Sequence, residues 1–96
     1  MLEGITHESF ESIVGKTVDL SAGEVSFQAD VQEVSLLRQD PGQERPPFSV
    51  VLRAHDANNH GQQIYQMSHP DLGVLSLFLV PIGPDENRMR YEAVFN

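Results

Sequence analysis

The sequence predicts a mainly β protein: a small barrel or rolled antiparallel sheet of about six strands, with one short N-terminal helix. Three observations support this fold class. Apolar residues recur at every second position through most of the chain, turn-forming residues separate these stretches, and only one short segment has helical spacing. A length of 96 residues fits a single domain, residues 1–96, with one modest core.

The segment 6–14 has the pattern of a short helix. Thr6 is a residue type that caps helix N-termini, and Phe10 and Ile13 follow at the spacing of one helical face. Gly15 can adopt the left-handed conformation that commonly ends a helix. A helix this short is unstable alone in water, so we expect Phe10 and Ile13 to pack against the sheet.

Five of the predicted strands alternate apolar and polar residues, as half-buried strands do. Their same-face apolar residues are Val18, Leu20, Val25, Phe27, Ala29, Val31, Val34, Leu36, Phe48, Val50, Leu52, Ala54, Tyr65, Met67, Tyr91, Ala93 and Phe95. In the second strand the phase changes from odd positions up to Val31 to even positions from Val34. Keeping both sets inside requires an extra residue, which predicts a β-bulge or sharp bend near Gln32–Glu33.

The remaining strand, VLSLFLV (Val74 to Val80), is apolar on both faces apart from Ser76. This pattern is typical of a central strand covered on both sides. Pro70 and Gly73 predict a turn before it, and PIGPDENRM (Pro81 to Met89) predicts a wide loop after it. A further loop is predicted at Arg38–Pro47, where Asp40, Pro41 and Gly42 form a turn signal.

Composition and charge exclude several function classes. The chain has a net charge of −8, from 14 acidic and 6 basic residues, which disfavours binding to nucleic acid or anionic lipid. It has no Cys, which excludes disulfides, thiolate metal sites and a Cys nucleophile. The N-terminus has no signal-peptide pattern and no apolar run is long enough to span a membrane, so we expect a cytoplasmic protein.

The segment HDANNH contains the best candidate metal ligands, His55, Asp56 and His60, with His69 as a possible fourth. Imidazole and carboxylate groups suit zinc or a similar ion. The spacing matches no standard site, however, and Asn-rich turns attract polar residues in any case. We therefore interpret this segment as a solvated turn and predict no metal site and no cofactor.

No catalytic residues are predicted. None of the serines lies in a G-x-S-x-G motif, and Ser68 and His69 are neighbours whose side chains point to opposite faces of an extended chain. The glycines are spread singly beside turns, unlike a phosphate-binding loop. Arg53, Arg88 and Arg90 would form a basic spot for an acidic partner only if the fold brought them together.

Three stretches of the chain are similar to a family of short uncharacterised bacterial proteins, a domain-of-unknown-function family about as long as this chain. They are the opening LEGITHESF, the central RPPFSVVLR and the closing HPDLGVLSLFLVPIGPDENRMRYEAVFN. The resemblance covers essentially the whole chain. It implies a stand-alone domain with no established activity, and it suggests an association with phage-tail-like or tail-collar-like proteins.

We therefore expect a structural or protein-interaction module, not an enzyme, which binds a protein partner or a second copy of itself. The last strand, Arg90 to Phe95, is the candidate for that contact, because many strands in a short chain leave a sheet edge free to pair. The alternative is a protein or enzyme that binds a metal or small ligand in a pocket at the barrel mouth, near His55, His60 and His69.

Overall fold

The computed structural model describes residues 5–38, 41–42 and 46–95, and in these residues one short helix precedes a closed barrel of six antiparallel strands. The elements are α1 (His7–Glu11), β1 (Thr17–Ala22), β2 (Val25–Leu36), β3 (Phe48–Ala54), β4 (Gln63–His69), β5 (Gly73–Asp85) and β6 (Arg88–Phe95). This architecture confirms the predicted fold class. Asp40 of the predicted turn signal lies outside the described residues, whereas Gly42 lies in a turn with φ of 94°.

The strand order around the barrel is β1-β2-β3-β6-β5-β4. Three pairs, from Asp19 opposite Ser68 to Ser21 opposite Gln66, join β4 to β1 and close it. Alternate residues therefore point into a single interior, as the sequence pattern predicts. The barrel interior contains Val18, Leu20, Ala29, Val31, Val50, Leu52, Ala54, Tyr65, Met67, Leu75, Leu77, Leu79, Tyr91 and Ala93.

One end of the barrel is covered by α1 and the turn that follows it. Phe10 and Ile13 are fully buried, and the Phe10 ring lies against Phe48 and Phe95, with centroids 6.1 and 5.4 Å away. The helix is shorter than predicted, because residues 12–15 form a turn. Gly15 has φ of 86°, and its N–H donates to the carbonyl oxygen of Val31 at 2.8 Å, which fastens the turn to β2.

The predicted bulge in β2 is confirmed. The register between β2 and β3 shifts between Val31 and Glu33, so Val31 lies opposite Leu52 and Glu33 opposite Val51. The bulge keeps Val34 partly buried against the core. The prediction was wrong for Leu36, whose side chain is 57% exposed at the end of the strand.

Two predictions for the C-terminal hairpin were wrong. Val74 and Phe78 of β5 are 63% and 53% exposed, because a barrel has nothing packed against its outer face. No wide loop follows: β5 continues to Asp85, and a two-residue turn of Glu86 and Asn87, both with positive φ, leads directly into β6. Such a turn matches the twist of the paired strands.

Replacing Phe10 by Ala should destabilise the protein strongly, because it leaves a cavity at the end of the core that α1 covers. The expected loss in the free energy of unfolding is about 3–5 kcal/mol, measured by chemical denaturation. Val14→Ala is the control, since Val14 is 45% exposed in the turn beside the helix, and it should cost less than about 0.5 kcal/mol. Equal losses in the two variants would contradict this packing.

Candidate functional site

The predicted ligand histidines do not form one site. His55 and His60 lie between β3 and β4 at one end of the barrel, whereas His69 is the last residue of β4. A strand of seven residues separates the two ends by about 20 Å. The described residues contain no group of three or more His, Cys, Asp or Glu side chains placed to hold a metal ion.

His69 has a structural environment. It is 7% exposed, its ring Nδ1 accepts a hydrogen bond of 3.0 Å from the Asp71 N–H, and its carbonyl oxygen accepts one of 3.2 Å from the Leu72 N–H. These contacts hold the turn between β4 and β5. Ser68 is exposed on the other face, as predicted, so the two side chains do not form a nucleophile–base pair.

The segment 55–62 covers the end of the barrel opposite α1. The Tyr91 hydroxyl accepts a hydrogen bond of 3.1 Å from the His60 N–H and donates one of 3.2 Å to the carbonyl oxygen of Asn58. The Tyr65 hydroxyl donates to the carbonyl oxygen of Gly61 at 2.6 Å. Burial raises the pKa of Tyr91, so its hydroxyl stays protonated and can keep donating.

The His60 ring closes this end of the barrel as an aromatic group. It stacks on Phe27 with centroids 4.5 Å apart, and Phe27 also contacts the rings of Tyr65 and Tyr91. Its Nε2 atom is buried and has no hydrogen-bond partner among the described residues. The barrel mouth is therefore filled by side chains and covered by a loop.

His55 belongs to a polar cluster centred on Asp30 on the outside of the barrel. The Thr17 hydroxyl donates to Oδ1 of Asp30 at 2.8 Å, and Arg88 Nη2 donates to Oδ2 at 2.8 Å. His55 Nε2 lies 2.9 Å from Oδ1. Because an ionised carboxylate only accepts hydrogen bonds, Nε2 carries the proton in this contact.

The charge state of Asp30 follows from these contacts. Burial raises the pKa of its carboxyl group, but the hydrogen bonds from His55, Arg88 and Thr17 outweigh this effect. The net pKa is about 2, compared with an ordinary value of 3.8. A carboxylate whose oxygens are occupied by three protein donors is suited to joining strands, and it offers little capacity for a substrate or metal.

The arginines converge, but on acidic groups. Arg53 lies 3.7 Å from a carboxylate oxygen of Asp85 and 3.8 Å from one of Glu86, and it donates to the Asp85 carbonyl oxygen at 3.2 Å. Arg88 is paired with Asp30, and Arg90 donates to the carbonyl oxygen of Gly83 at 3.3 Å. Arg53 and Arg88 are therefore paired with carboxylates, whereas Arg90 bonds to a backbone carbonyl and has no acidic partner among the described residues.

The outer face of β4, β5 and β6 has a different character. Four large apolar side chains lie there with more than half of their surface exposed: Ile64, Val74, Phe78 and Val94. We call these four residues the apolar face. Ile64 lies directly opposite Phe78 in the ladder between β4 and β5. Two positions further along this ladder, towards Val74, Gln66 lies opposite Ser76 and donates a hydrogen bond of 3.0 Å to its hydroxyl. Ser76 is thus exposed, not buried as the sequence suggested.

A groove of about 540 Å³ lies beside the apolar face, between β5 and the last residues of β6. Its walls are mainly apolar and include Leu77, Phe78, Ala93 and Phe95, with Glu92 as the charged residue of the lining. The volume is in the range of ligand and peptide sites in other proteins. The sequence offers one signal for this surface, because Ile64 and Phe78 are apolar residues at positions where alternation leads to the outside.

The predicted free edge at the last strand is corrected by the topology. β6 pairs with β3 from Phe48 opposite Phe95 to Arg53 opposite Arg90, and with β5 from Val80 opposite Glu92 to Asp85 opposite Arg88. From Arg90 to Glu92 the strand therefore has a neighbour on each side, and the prediction was wrong there, whereas Ala93–Phe95 pair with β3 and have no pairing with β5 among the described residues. What it presents to solvent is its outer face, where Val94 is 52% exposed.

These features define a small antiparallel β-barrel domain with both ends covered and an apolar patch on the outside. The chain belongs to the family described as domain of unknown function DUF6916, whose model matches residues 5–95. This finding confirms the resemblance to an uncharacterised family. Comparisons with curated proteins and with solved structures gave no significant match. The one described helix is too short to cross a membrane.

The Asp30 cluster should make the free energy of unfolding depend on pH in the acidic range. The unfolded state binds the proton more readily, because its pKa is 3.8 compared with about 2 in the folded state. The resulting stabilisation is complete above pH ~5 and disappears as the pH falls towards 2. Asp30→Asn should weaken this pH dependence in denaturation curves at pH 2–6, and should cost about 1 kcal/mol at pH 7. If the free energy of unfolding of Asp30→Asn varied with pH as steeply as that of the wild type, the role of these contacts would be contradicted.

Tyr91→Phe should loosen the segment 55–62, because it removes a hydroxyl that both accepts from His60 and donates to Asn58. We expect faster hydrogen exchange of the His60 amide and a loss of about 1–3 kcal/mol in the free energy of unfolding. Ser12→Ala is the comparison, since it removes a hydroxyl that donates to the Ser9 carbonyl oxygen beside α1, at the opposite end of the barrel. Unchanged exchange at His60 in Tyr91→Phe would show that the hydroxyl does not hold the loop.

Proposed function

We propose that this protein is a non-enzymatic protein-interaction module that binds a protein partner through the apolar face. The observation that carries the proposal is that Ile64, Phe78 and Val94, each more than half exposed, line one surface across β4, β5 and β6. Val74, also more than half exposed, lies further along β5, beyond Ser76. Scattered exposed apolar residues are normal on soluble proteins, whereas the largest contiguous apolar patch on a small protein is often functional. The outward orientation results from barrel closure, so the core does not require apolar residues at these positions.

The polar features of the barrel favour a structural role for the rest of the molecule. The Asp30 carboxylate accepts bonds from three protein donors, and two of the three arginines, Arg53 and Arg88, are paired with acidic groups. The proposal that the partner belongs to a phage-tail-like assembly comes from the family resemblance alone. The alternative, a metal or small ligand held by His55, His60 and His69, has weaker support, because His69 lies at the opposite end of β4.

Phe78→Ser should abolish partner binding without affecting the fold, because Phe78 is at the centre of the apolar face and is already 53% exposed. Leu36→Ser is the matched control, since Leu36 is 57% exposed at the end of β2. Proteins retained from a lysate of the native host by wild-type and variant baits should be quantified by mass spectrometry. We expect a partner retained by wild type and Leu36→Ser, and reduced about tenfold or more by Phe78→Ser.

The purified partner should then bind wild-type protein directly in calorimetry, with the same order of affinities among the variants. Equal retention by all three baits would overturn the apolar face as the docking surface. Thermal unfolding of each variant provides the control for folding, and midpoints within a few degrees of wild type are expected.

A further inference from the structure

We infer that the groove between β5 and β6 binds an extended peptide segment of another protein, with apolar side chains at alternate positions and a basic residue that reaches Glu92. This inference rests on the proposed function and specifies the partner for the same surface.

The groove lies where the ladder between β5 and β6 stops. Its first part, Gly73–Leu79, pairs with β4, from His69 opposite Gly73 to Gln63 opposite Leu79. Its pairing with β6 begins only at Val80 opposite Glu92. Among the described residues, the register of β5 with β6 does not extend to Leu79 and Ala93 or beyond them, although β6 itself continues to Phe95.

The separated strands present backbone as well as side chains. In an antiparallel strand the N–H and C=O groups of successive residues point alternately to the two neighbouring strands. In Gly73–Leu79 every second residue therefore directs its backbone groups away from β4, and Ser76, Leu77 and Phe78 of this stretch line the groove. An added peptide can bond to such groups, while side-chain pockets select its sequence. Leu77 and Ala93 form the floor of the groove, and Phe78 and Val94 form its sides.

The charge of the surface favours a partner with a basic residue. Glu92 is half-buried in the groove lining and forms no ion pair with a described residue. The whole chain carries a net charge of −8, which attracts a basic segment and repels an acidic one. A peptide that places Lys or Arg at Glu92 satisfies a carboxylate that binding would otherwise desolvate.

The size of the surface argues against a second copy of this chain as the occupant. The four half-exposed side chains of the apolar face offer on the order of 300 Å² of apolar area, whereas a stable dimer buries about 800 Å² from each subunit, of which roughly 65%, or about 500 Å², is apolar. A second copy would also bring its own net charge of −8 and a second Glu92 to the contact. A single extended segment needs less area and contributes no such repulsion.

The test uses peptides selected for binding to the full chain. A displayed library of random nine-residue peptides is selected on wild-type protein, and the enriched sequences are synthesised with a fluorophore for anisotropy measurements. We expect enriched peptides with apolar residues at alternate positions and at least one Lys or Arg. Binding should weaken about tenfold or more in Phe78→Ser, remain within twofold in Leu36→Ser, and weaken threefold or more in Glu92→Gln at low salt only.

The location is tested by amide hydrogen exchange on the same complex. Amides of Gly73–Leu79 and Ala93–Phe95 should become protected when the peptide binds, whereas those of β2 should not change. Both Phe78 and Val94 are more than half exposed, so Val94→Lys provides a second variant that blocks the groove without disturbing the core.

Three results would overturn the inference. The first is enrichment of peptides without alternation or basic residues, and the second is protection outside the groove. The third is a dimer in light scattering that Phe78→Ser dissociates, which would make a second copy the occupant. The proposed function fails separately: it fails if the native partner binds Phe78→Ser as well as wild type. If the native partner requires Phe78 but protects no amide in the groove, the apolar face remains the docking surface and the groove is not the binding site.

Discussion

Three residue pairs between β1 and β4 determine the character of the whole molecule, because they turn a six-stranded sheet into a barrel. Closure gives the chain a single interior, into which every strand sends alternate residues. It also gives every strand an outer face with no second layer over it. The helix and the segment 55–62 then need only cover the two ends, with Phe10 at one and the rings of Phe27 and His60 at the other.

Unequal strand lengths explain why the outside is not uniform. β5 has 13 residues, whereas β4 has seven and β6 has eight, so neither neighbour can pair with β5 along its full length. The strand is shared: its first part belongs to β4 and its last part to β6. Stagger of this kind is normal in a closed barrel. Here the β5–β6 ladder ends at Val80 and Glu92, and the groove lies beyond that point, beside the apolar face.

The sequence predicted what depends on neighbouring residues. Strand alternation, the left-handed Gly15 and the bulge after Val31 are local patterns, and the structure confirms them. Closure depends on pairing between residues about fifty positions apart, which no local pattern encodes. For this reason the apolar run Val74 to Val80 was interpreted as a strand covered twice, and its outward residues, now the candidate docking surface, were assigned to a core.

The polar cluster around Asp30 could not be predicted from the sequence, although one of its members was noticed. His55 was recognised as chemically interesting, but its partner Asp30 and the donor Arg88 lie on other strands, so their contact could not be read from spacing. The end-to-end separation of His60 and His69 follows only once both ends of β4 are placed. The sequence carries only a weak signal for this surface: Ile64 is an apolar residue out of phase with Tyr65 and Met67, whereas Phe78 lies in a run that is apolar on both faces.

The position of β6 in the barrel has a consequence for biosynthesis. β6 supplies the second neighbour of β3, through pairs that join Phe48 to Phe95 and Arg53 to Arg90. β3 is among the most apolar strands, with six of its seven residues buried in the finished barrel. While a ribosome is still adding the last residues, β3 therefore has an open, apolar edge that could pair with another nascent chain. Docking of β6 on β3 covers this edge, so the order in which the strands pair affects aggregation during folding.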